Sequence, residues 1–306
     1  MPSATIATLN LDDFFGNGAR KKEFVRQLKE SLSTTGFFFL TNHHIPEKVV
    51  TRVMKRLPRF FEELPLETRM KYASGDVMGY TPPNVERGEG FSIADEKHFL
   101  HMRDGQMPFV EEVPGLNVYL SHLSVNFQLV TRMLLQGVAL SLDLPEYHFD
   151  PLLKNSLLRA LHYPANDHPT EHESDLIEGG NAIGMCAAPH TDINMLTLLL
   201  AREPGLELWH EGQWMPITIT DSNSLIVNGA DMLRHLTGGR YKSGLHRVIC
   251  KPGVARYSIP YFGHVDPETP LVPLASLGPS DLTEFHHETA GAFLHQRLVE
   301  LGVIAA

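Results

Sequence analysis

The chain has 306 residues, 42% of them hydrophobic and 20% charged, and carries a formal net charge of -10. That composition excludes a disordered chain and supplies enough apolar material for a sizeable core, as one large domain or two. The negative balance argues against a nucleic-acid partner, since phosphate backbones are held by dense basic surface. Only Cys186 and Cys250 are present, with no short spacing, and the start MPSATIATLNLDD lacks the basic-then-apolar pattern of a secretion signal. These features predict a cytoplasmic location.

In chain order, Phe24, Val25, Leu28 and Leu32 fall on one face of a helix predicted over 18–35 and stopped at Gly36. Phe37-Phe38-Phe39-Leu40 then reads as a buried strand. A second helix starts near Pro46, carries Val49, Val50, Val53, Met54, Leu57 and Phe61 at helical spacing, and is expected to kink at Pro58. Residues 73–115 are rich in Gly and Pro, which predicts loops and short edge strands, the one strand-like run lying around Ile93 to Met102. Between 117 and 142, Leu120, Leu123, Phe127, Val130, Leu134 and Val138 make a wide apolar stripe on a long helix. His122, Asn126, Gln128, Arg132 and Gln136 make that stretch too polar to span a membrane.

From about 155 the pattern changes to short apolar runs, Leu157–Tyr163, Met195–Leu200, Leu206–Trp209, Leu225–Val227, His246–Ile249 and Arg256–Phe262, broken by Gly, Pro, Asn and Asp. This is the rhythm of a sandwich or jelly roll. Residues 164–188, with Gly179, Gly180 and Gly184, read as a loop long enough to be functional. A final helix is expected to open at Asp281, with Glu284 as its capping-box partner, and to run through Phe285, Phe293, Leu294 and Leu298.

His190 and Asp192 are two apart, so on an extended strand both side chains face one side and reach one ion. With the remote His246 they form a set of two imidazoles and one carboxylate, which suits non-haem iron(II) with open positions. A structural zinc would want four closed positions, usually with thiolates, while a catalytic zinc with three protein ligands stays open as an alternative. Ten positions after His246, Arg256 and Ser258 are again two apart, and a guanidinium beside a hydroxyl suits a carboxylate ligand. Asn194 faces either an ion-bound ligand or its own turn. His98 and His101 would need helical spacing to share an ion. His168, His172, His286 and His287 read as surface residues, and Cys186 as a buried strand residue rather than a reactive thiol.

The strings His190-Thr191-Asp192-Ile193-Asn194-Met195-Leu196 and Gly244-Leu245-His246-Arg247-Val248 resemble the metal-ligand segments of the iron(II)/2-oxoglutarate oxygenases of the isopenicillin N synthase-like branch. Gly36-Phe37-Phe38-Phe39-Leu40-Thr41-Asn42-His43-His44-Ile45-Pro46 and Ile93-Ala94-Asp95-Glu96-Lys97-His98-Phe99 resemble its early and middle segments, so that the likeness spans about residues 5–265. The resemblance implies a mainly β fold with flanking helices, a distorted double-stranded β-helix (jelly roll) behind an N-terminal α/β region. It divides the chain into an N-terminal dioxygenase-type region (1–115), a connecting helix packed on the barrel (116–150), the jelly-roll core (151–265) and a helical extension (266–306).

It further implies that His190, Asp192 and His246 ligate Fe(II), and that Arg256 and Ser258 anchor the distal carboxylate of 2-oxoglutarate as co-substrate. Tyr163, in Leu161-His162-Tyr163-Pro164, would contact a bound carboxylate or line the pocket; many relatives carry Asn-Tyr-Tyr-Pro there. Tyr80, Arg87 and Phe91 are pocket positions by the same likeness. The implied activity is oxidation of a small organic substrate with O2, by hydroxylation, desaturation or ring closure, releasing succinate and carbon dioxide. A 2-oxoglutarate-independent oxidase of the isopenicillin N synthase type and a non-catalytic jelly-roll protein that binds metal and carboxylate are the alternatives.

Overall fold

Phe37 to Leu40 form a strand buried on both faces: Phe38 and Leu40 pack into one apolar cluster while Phe37 and Phe39 pack into another. A continuous apolar run is what a strand needs when it lies between two packed layers. The structure is a computed structural model that describes residues 6–74, 78–86, 94–165, 185–278 and 289–304.

The chain opens with β1 (Thr8–Asn10), the short α1 (Leu11–Phe14) and α2 (Gly18–Thr34), and reaches β2 (Phe37–Thr41) through Gly36. Gly36 adopts φ +77°, a conformation that ends a helix cheaply only without a side chain. The next helix, α3 (Glu47–Met54), stops before Pro58, and the chain continues as a π-helical turn, Arg59–Glu63, that buries Phe60 and Phe61. The expected kink is thus a change of helix type. After α4 (Leu66–Met70) come β3 (Gly79–Thr81) and β4 (His98–Arg103), shorter than the run expected from Ile93, a residue outside those described.

Helix α5 (Leu116–Ser141) is about 39 Å long at the usual rise. It buries the stripe read from the sequence and leaves Val118, Val125 and Leu129 about half exposed. Gly137 lets it approach α2 closely, since a Cβ there would lie 2.9 Å from Leu28 Cδ2. No helix among the described residues is long and apolar enough to cross a membrane.

Then follow β5 (Leu157–Tyr163), β6 (Met185–His190), β7 (Leu196–Ala201), β8 (Leu206–His210), β9 (Gln213–Pro216), β10 (Leu225–Gly229), α6 (Asp231–Leu236), β11 (His246–Ile249) and β12 (Arg256–Gly263). Eight strands pair in the order β1-β2-β10-β7-β12-β5-β4-β3, and four in the order β6-β11-β8-β9. The two inner faces share a core that includes Phe37, Leu161, Leu208 and Val248, while the back of the large sheet packs on α2 and α5. This is the mainly β, jelly-roll class expected from the sequence.

The last helix, α7 (Ala290–Glu300), departs from expectation. Thr289 is extended and caps it by accepting a hydrogen bond from Ala292 N–H, so no continuous helix runs from Asp281 through Phe293. Asp281, Glu284 and Phe285 lie outside the described residues.

Candidate metal and carboxylate site

His190 and His246 face each other directly across the β6–β11 pair, and their ring centroids are 4.3 Å apart. Each Nδ1 bonds a backbone carbonyl two residues back, Ala188 at 2.7 Å and Gly244 at 2.9 Å. A carbonyl only accepts, so each Nδ1 carries the proton and each Nε2 keeps its lone pair for an ion.

Asp192 arrives differently from the sequence reading. Strand β6 ends at His190, and Asp192 sits in the turn beyond it. That turn is pinned by the first N–H groups of α6: Asp231 N–H donates to Asp192 O at 2.9 Å, and Met232 N–H to Ile193 O at 3.1 Å. One carboxylate oxygen, Oδ2, accepts from Thr197 Oγ1 at 2.6 Å and Asn228 Nδ2 at 2.9 Å. The other, Oδ1, lies 3.9 Å from His246 Nε2, and the three side chains offer donor atoms within 4.8 Å of one another. Burial pushes the Asp192 carboxyl up, but the two imidazoles and its two hydrogen bonds outweigh this and hold it below its ordinary value. Burial, helped by His246, holds the His190 imidazole down to about 3, so it is neutral and free to ligate at neutral pH. Two imidazoles and a carboxylate, each oriented by a hydrogen bond of its own, fit an open divalent-metal site.

Arg256 and Ser258 are buried on the inner face of β12, with guanidinium NH1 3.2 Å from Ser258 Oγ and Nε donating to Pro204 O at 3.3 Å. The guanidinium lies 5.3 Å from the ring of Tyr163, its register partner on β5. Burial pushes the Tyr163 phenol above its ordinary range, so it stays a donor. Among the described residues no carboxylate pairs with Arg256, although only 3% of it is exposed. A cavity of about 70 Å³ connects Arg256, Ser258 and Tyr163 to His190, Asp192 and His246.

Asn194 is fully buried and holds its own turn, with Nδ2 donating to Leu196 O at 2.6 Å and Oδ1 accepting from Thr197 at 3.3 Å. Tyr80 lies behind the large sheet and bonds His98 Nδ1 at 2.9 Å, away from the metal cavity. His98 and His101 sit three apart on β4 and so face opposite sides, His98 meeting His162 behind the sheet and His101 meeting Arg159 Nε at 2.7 Å within it. Cys186 is half-buried in β6, with its thiol hydrogen-bonded to Cys250. Arg87, Phe91, His168, His172, His286 and His287 lie outside the described residues.

Sequence reasoning missed a buried ion network beside the metal cavity. Arg159 makes a two-pronged contact with Glu86 at 2.9 and 3.0 Å, and Lys97 bridges Glu86 at 2.9 Å and Asp95. The available signal was Lys97, His101, Arg103 and Arg159 at alternate positions in otherwise apolar strand text. Burial pushes the Glu86 carboxyl up, yet Arg159 and Lys97 win and hold it far below 4.5. A depressed carboxyl stabilises the fold above its unfolded value and loses that contribution as pH falls toward its folded one. Glu86→Gln strips Arg159 of its carboxylate and is expected to cost about 3–5 kcal/mol at pH 7. It should also flatten the loss of stability below about pH 5, and urea unfolding of both proteins at pH 7 and pH 4 measures the two effects.

Residues 154–265 match the 2OG-Fe(II) oxygenase superfamily, and residues 6–119 match the family described as non-haem dioxygenase in morphine synthesis N-terminal. The chain is 33% identical to a 2-oxoglutarate-Fe(II) type oxidoreductase of Emericella nidulans over 288 residues, covering 85% of this chain and 79% of the relative. A 2OG-Fe(II) oxygenase family protein from Caulobacter crescentus superposes with a TM-score of 0.80 at 30% identity, covering 98% of this chain and 99% of that one. The fold is shared with a full-length Neurospora crassa protein solved in complex with alpha-KG, with a TM-score of 0.81 at 22% identity over 96% of both chains. This chain therefore belongs to the 2OG-Fe(II) oxygenase superfamily, as a non-haem, iron(II)- and 2-oxoglutarate-dependent oxidoreductase.

Proposed function

We propose that His190, Asp192 and His246 hold the iron of this oxygenase and that Arg256, with Ser258, receives the distal carboxylate of 2-oxoglutarate. The observation that carries the reading is the pairing of three convergent donor atoms with a buried guanidinium that has no carboxylate partner among the described residues. A buried unpaired cation is costly, and a ligand carboxylate relieves that cost. Iron(II), when bound, supplies the oxygen chemistry that couples decarboxylation of 2-oxoglutarate to substrate oxidation.

The protein's own residues orient and exclude. Ala188 and Gly244 carbonyls fix the imidazole tautomers, Thr197 and Asn228 fix the carboxylate, and Tyr163 walls the co-substrate end. Leu161, Leu206 and Val248 close the same cavity against water. Asn194 supports the site as a turn residue. The same reading puts the chain in the isopenicillin N synthase-like branch and divides it into 1–115, 116–150, 151–265 and 266–306, supported by the resemblance of its metal-ligand, early and middle segments. Two scarce, unbridged cysteines agree with a cytoplasmic enzyme.

Anaerobic titration of the Fe(II)-loaded protein with 2-oxoglutarate tests the site. Expected is a weak visible charge-transfer band that saturates at one equivalent. Protein that binds one Fe(II) but develops no such band would overturn the assignment in favour of an oxidase or a simple metal binder.

A further inference from the structure

A second, larger cavity of about 230 Å³ opens on the other side of His190 and Asp192. Strand alternation decides which side chains reach it: β4 turns His101 and Arg103 inward, β5 turns Arg159 and Leu157 inward, β12 brings Phe262, and His264 follows its end. The register pairs Arg256 with Tyr163 at one end of β5, and Arg103 with Leu157 at the other. Six residues of strand separate those ends, roughly 20 Å. His190 and Asp192 line both cavities, so the metal-ligand cluster lies between two arginines.

Most charges in the larger cavity are internally matched. Arg159 and Lys97 are satisfied by Glu86 and Asp95. Arg103 is not: it is half-buried, lines the cavity, and pairs with no carboxylate among the described residues. His264 beside it is held down to about 4 by burial and by the Arg103 charge, so it adds a neutral ring rather than a second cation. The rest of the wall is greasy, with Leu157 and Phe262 from the sheet and Leu294 and Leu298 from α7.

We propose that this cavity takes the oxidisable substrate and that the substrate is a compact organic acid, its carboxylate on Arg103, its apolar body against Leu157, Phe262 and α7, and its reacting carbon toward the His190–Asp192 edge. A single planar guanidinium matches one carboxylate two-prongedly, whereas a phosphate dianion would call for further unpaired cations. A cationic substrate would meet an uncompensated positive charge. The inference rests on the metal and co-substrate assignment above and adds the chemistry of the second ligand.

The test is calorimetric titration of protein loaded with Mn(II) and saturating 2-oxoglutarate, using phenylacetate, 3-phenylpropionate and 4-phenylbutyrate against their primary amides. At least one acid is expected to bind about 10- to 100-fold tighter than its amide, the value of a charge-assisted pair. Arg103→Gln should erase that preference while leaving amide and 2-oxoglutarate affinities within about twofold, and Arg103→Lys should restore part of it. Equal binding of acid and amide, binding by no acid, displacement of 2-oxoglutarate by the acid, or a preference that survives Arg103→Gln overturns the proposal. Failure of 2-oxoglutarate itself to bind is a separate result, which overturns the co-substrate assignment and this inference with it.

Discussion

Asp192→Asn is expected to abolish Fe(II) retention and 2-oxoglutarate turnover while leaving the protein folded. The substitution is isosteric. Its amide oxygen can take the place of Oδ2 and accept the bonds from Thr197 and Asn228, so the turn against α6 keeps its supports. The amide nitrogen then occupies the place of Oδ1, facing His246 Nε2 with a donor where a cation needs an acceptor. The loss of affinity should exceed the ~10–100-fold that removal of a supporting hydrogen bond costs at metal sites. The amide gives up the charge that the site holds ionised below its ordinary value, so the metal-free variant should melt somewhat below wild type while still unfolding cooperatively. Metal titration followed by calorimetry, with thermal unfolding of both metal-free proteins, separates the two effects. A variant that still takes up one equivalent of Fe(II) at wild-type affinity would remove Asp192 from the ligand set.

The strands around this site were readable because each is short, apolar and bounded by turn residues. Leu157–Tyr163 and His246–Ile249 match the observed strands to the residue. The long helix was readable for a different reason: its stripe repeats over seven turns, far above the noise of local composition. What escaped was short or dependent on partners. Strand β6 carries Cys186, Ala187, Ala188 and Pro189, which have little strand preference of their own, and it exists because β11 pairs with it. Helix α6 has only six residues, too few to show a period, and its use, donating N–H groups to the Asp192 turn, is a tertiary fact.

The site was legible to the same degree. Spacing pairs His190 with Asp192 and Arg256 with Ser258, the family resemblance joins His246 to them and gives their roles, and all five line one cavity. The reason given for the His-x-Asp spacing was only half right, since the strand carries His190 alone and a pinned turn delivers Asp192. The alternate placement of Arg159 marks a charge in apolar strand text, but its pairing with Glu86 crosses 73 positions of sequence and shows only in the fold. Tyr80 was misplaced because likeness of position did not say which face of β3 it takes.

Arg256→Met is expected to move stability and ligand affinity in opposite directions, which no merely structural arginine would do. In the absence of ligand the wild-type guanidinium is buried, with only Pro204 O and Ser258 Oγ as hydrogen-bond partners among the described residues, so among them its charge is uncompensated. Methionine fills similar space without that charge and adapts to the wall around Tyr163. The ligand-free variant should therefore unfold at the same or a higher temperature than wild type. Removing one partner of a desolvated charge pair costs about 2–5 kcal/mol, so 2-oxoglutarate affinity should fall roughly 30- to 4000-fold. Wild type in 100-fold excess of 2-oxoglutarate over its dissociation constant gains about 2.7 kcal/mol, and the variant at the same ligand concentration should gain less than about 1 kcal/mol. Thermal unfolding of both Mn(II)-loaded proteins with and without 2-oxoglutarate reads all four states. A variant that keeps the full ligand-induced shift would show that the distal carboxylate is held elsewhere, and a ligand-free variant far less stable than wild type would show that Arg256 is a structural residue.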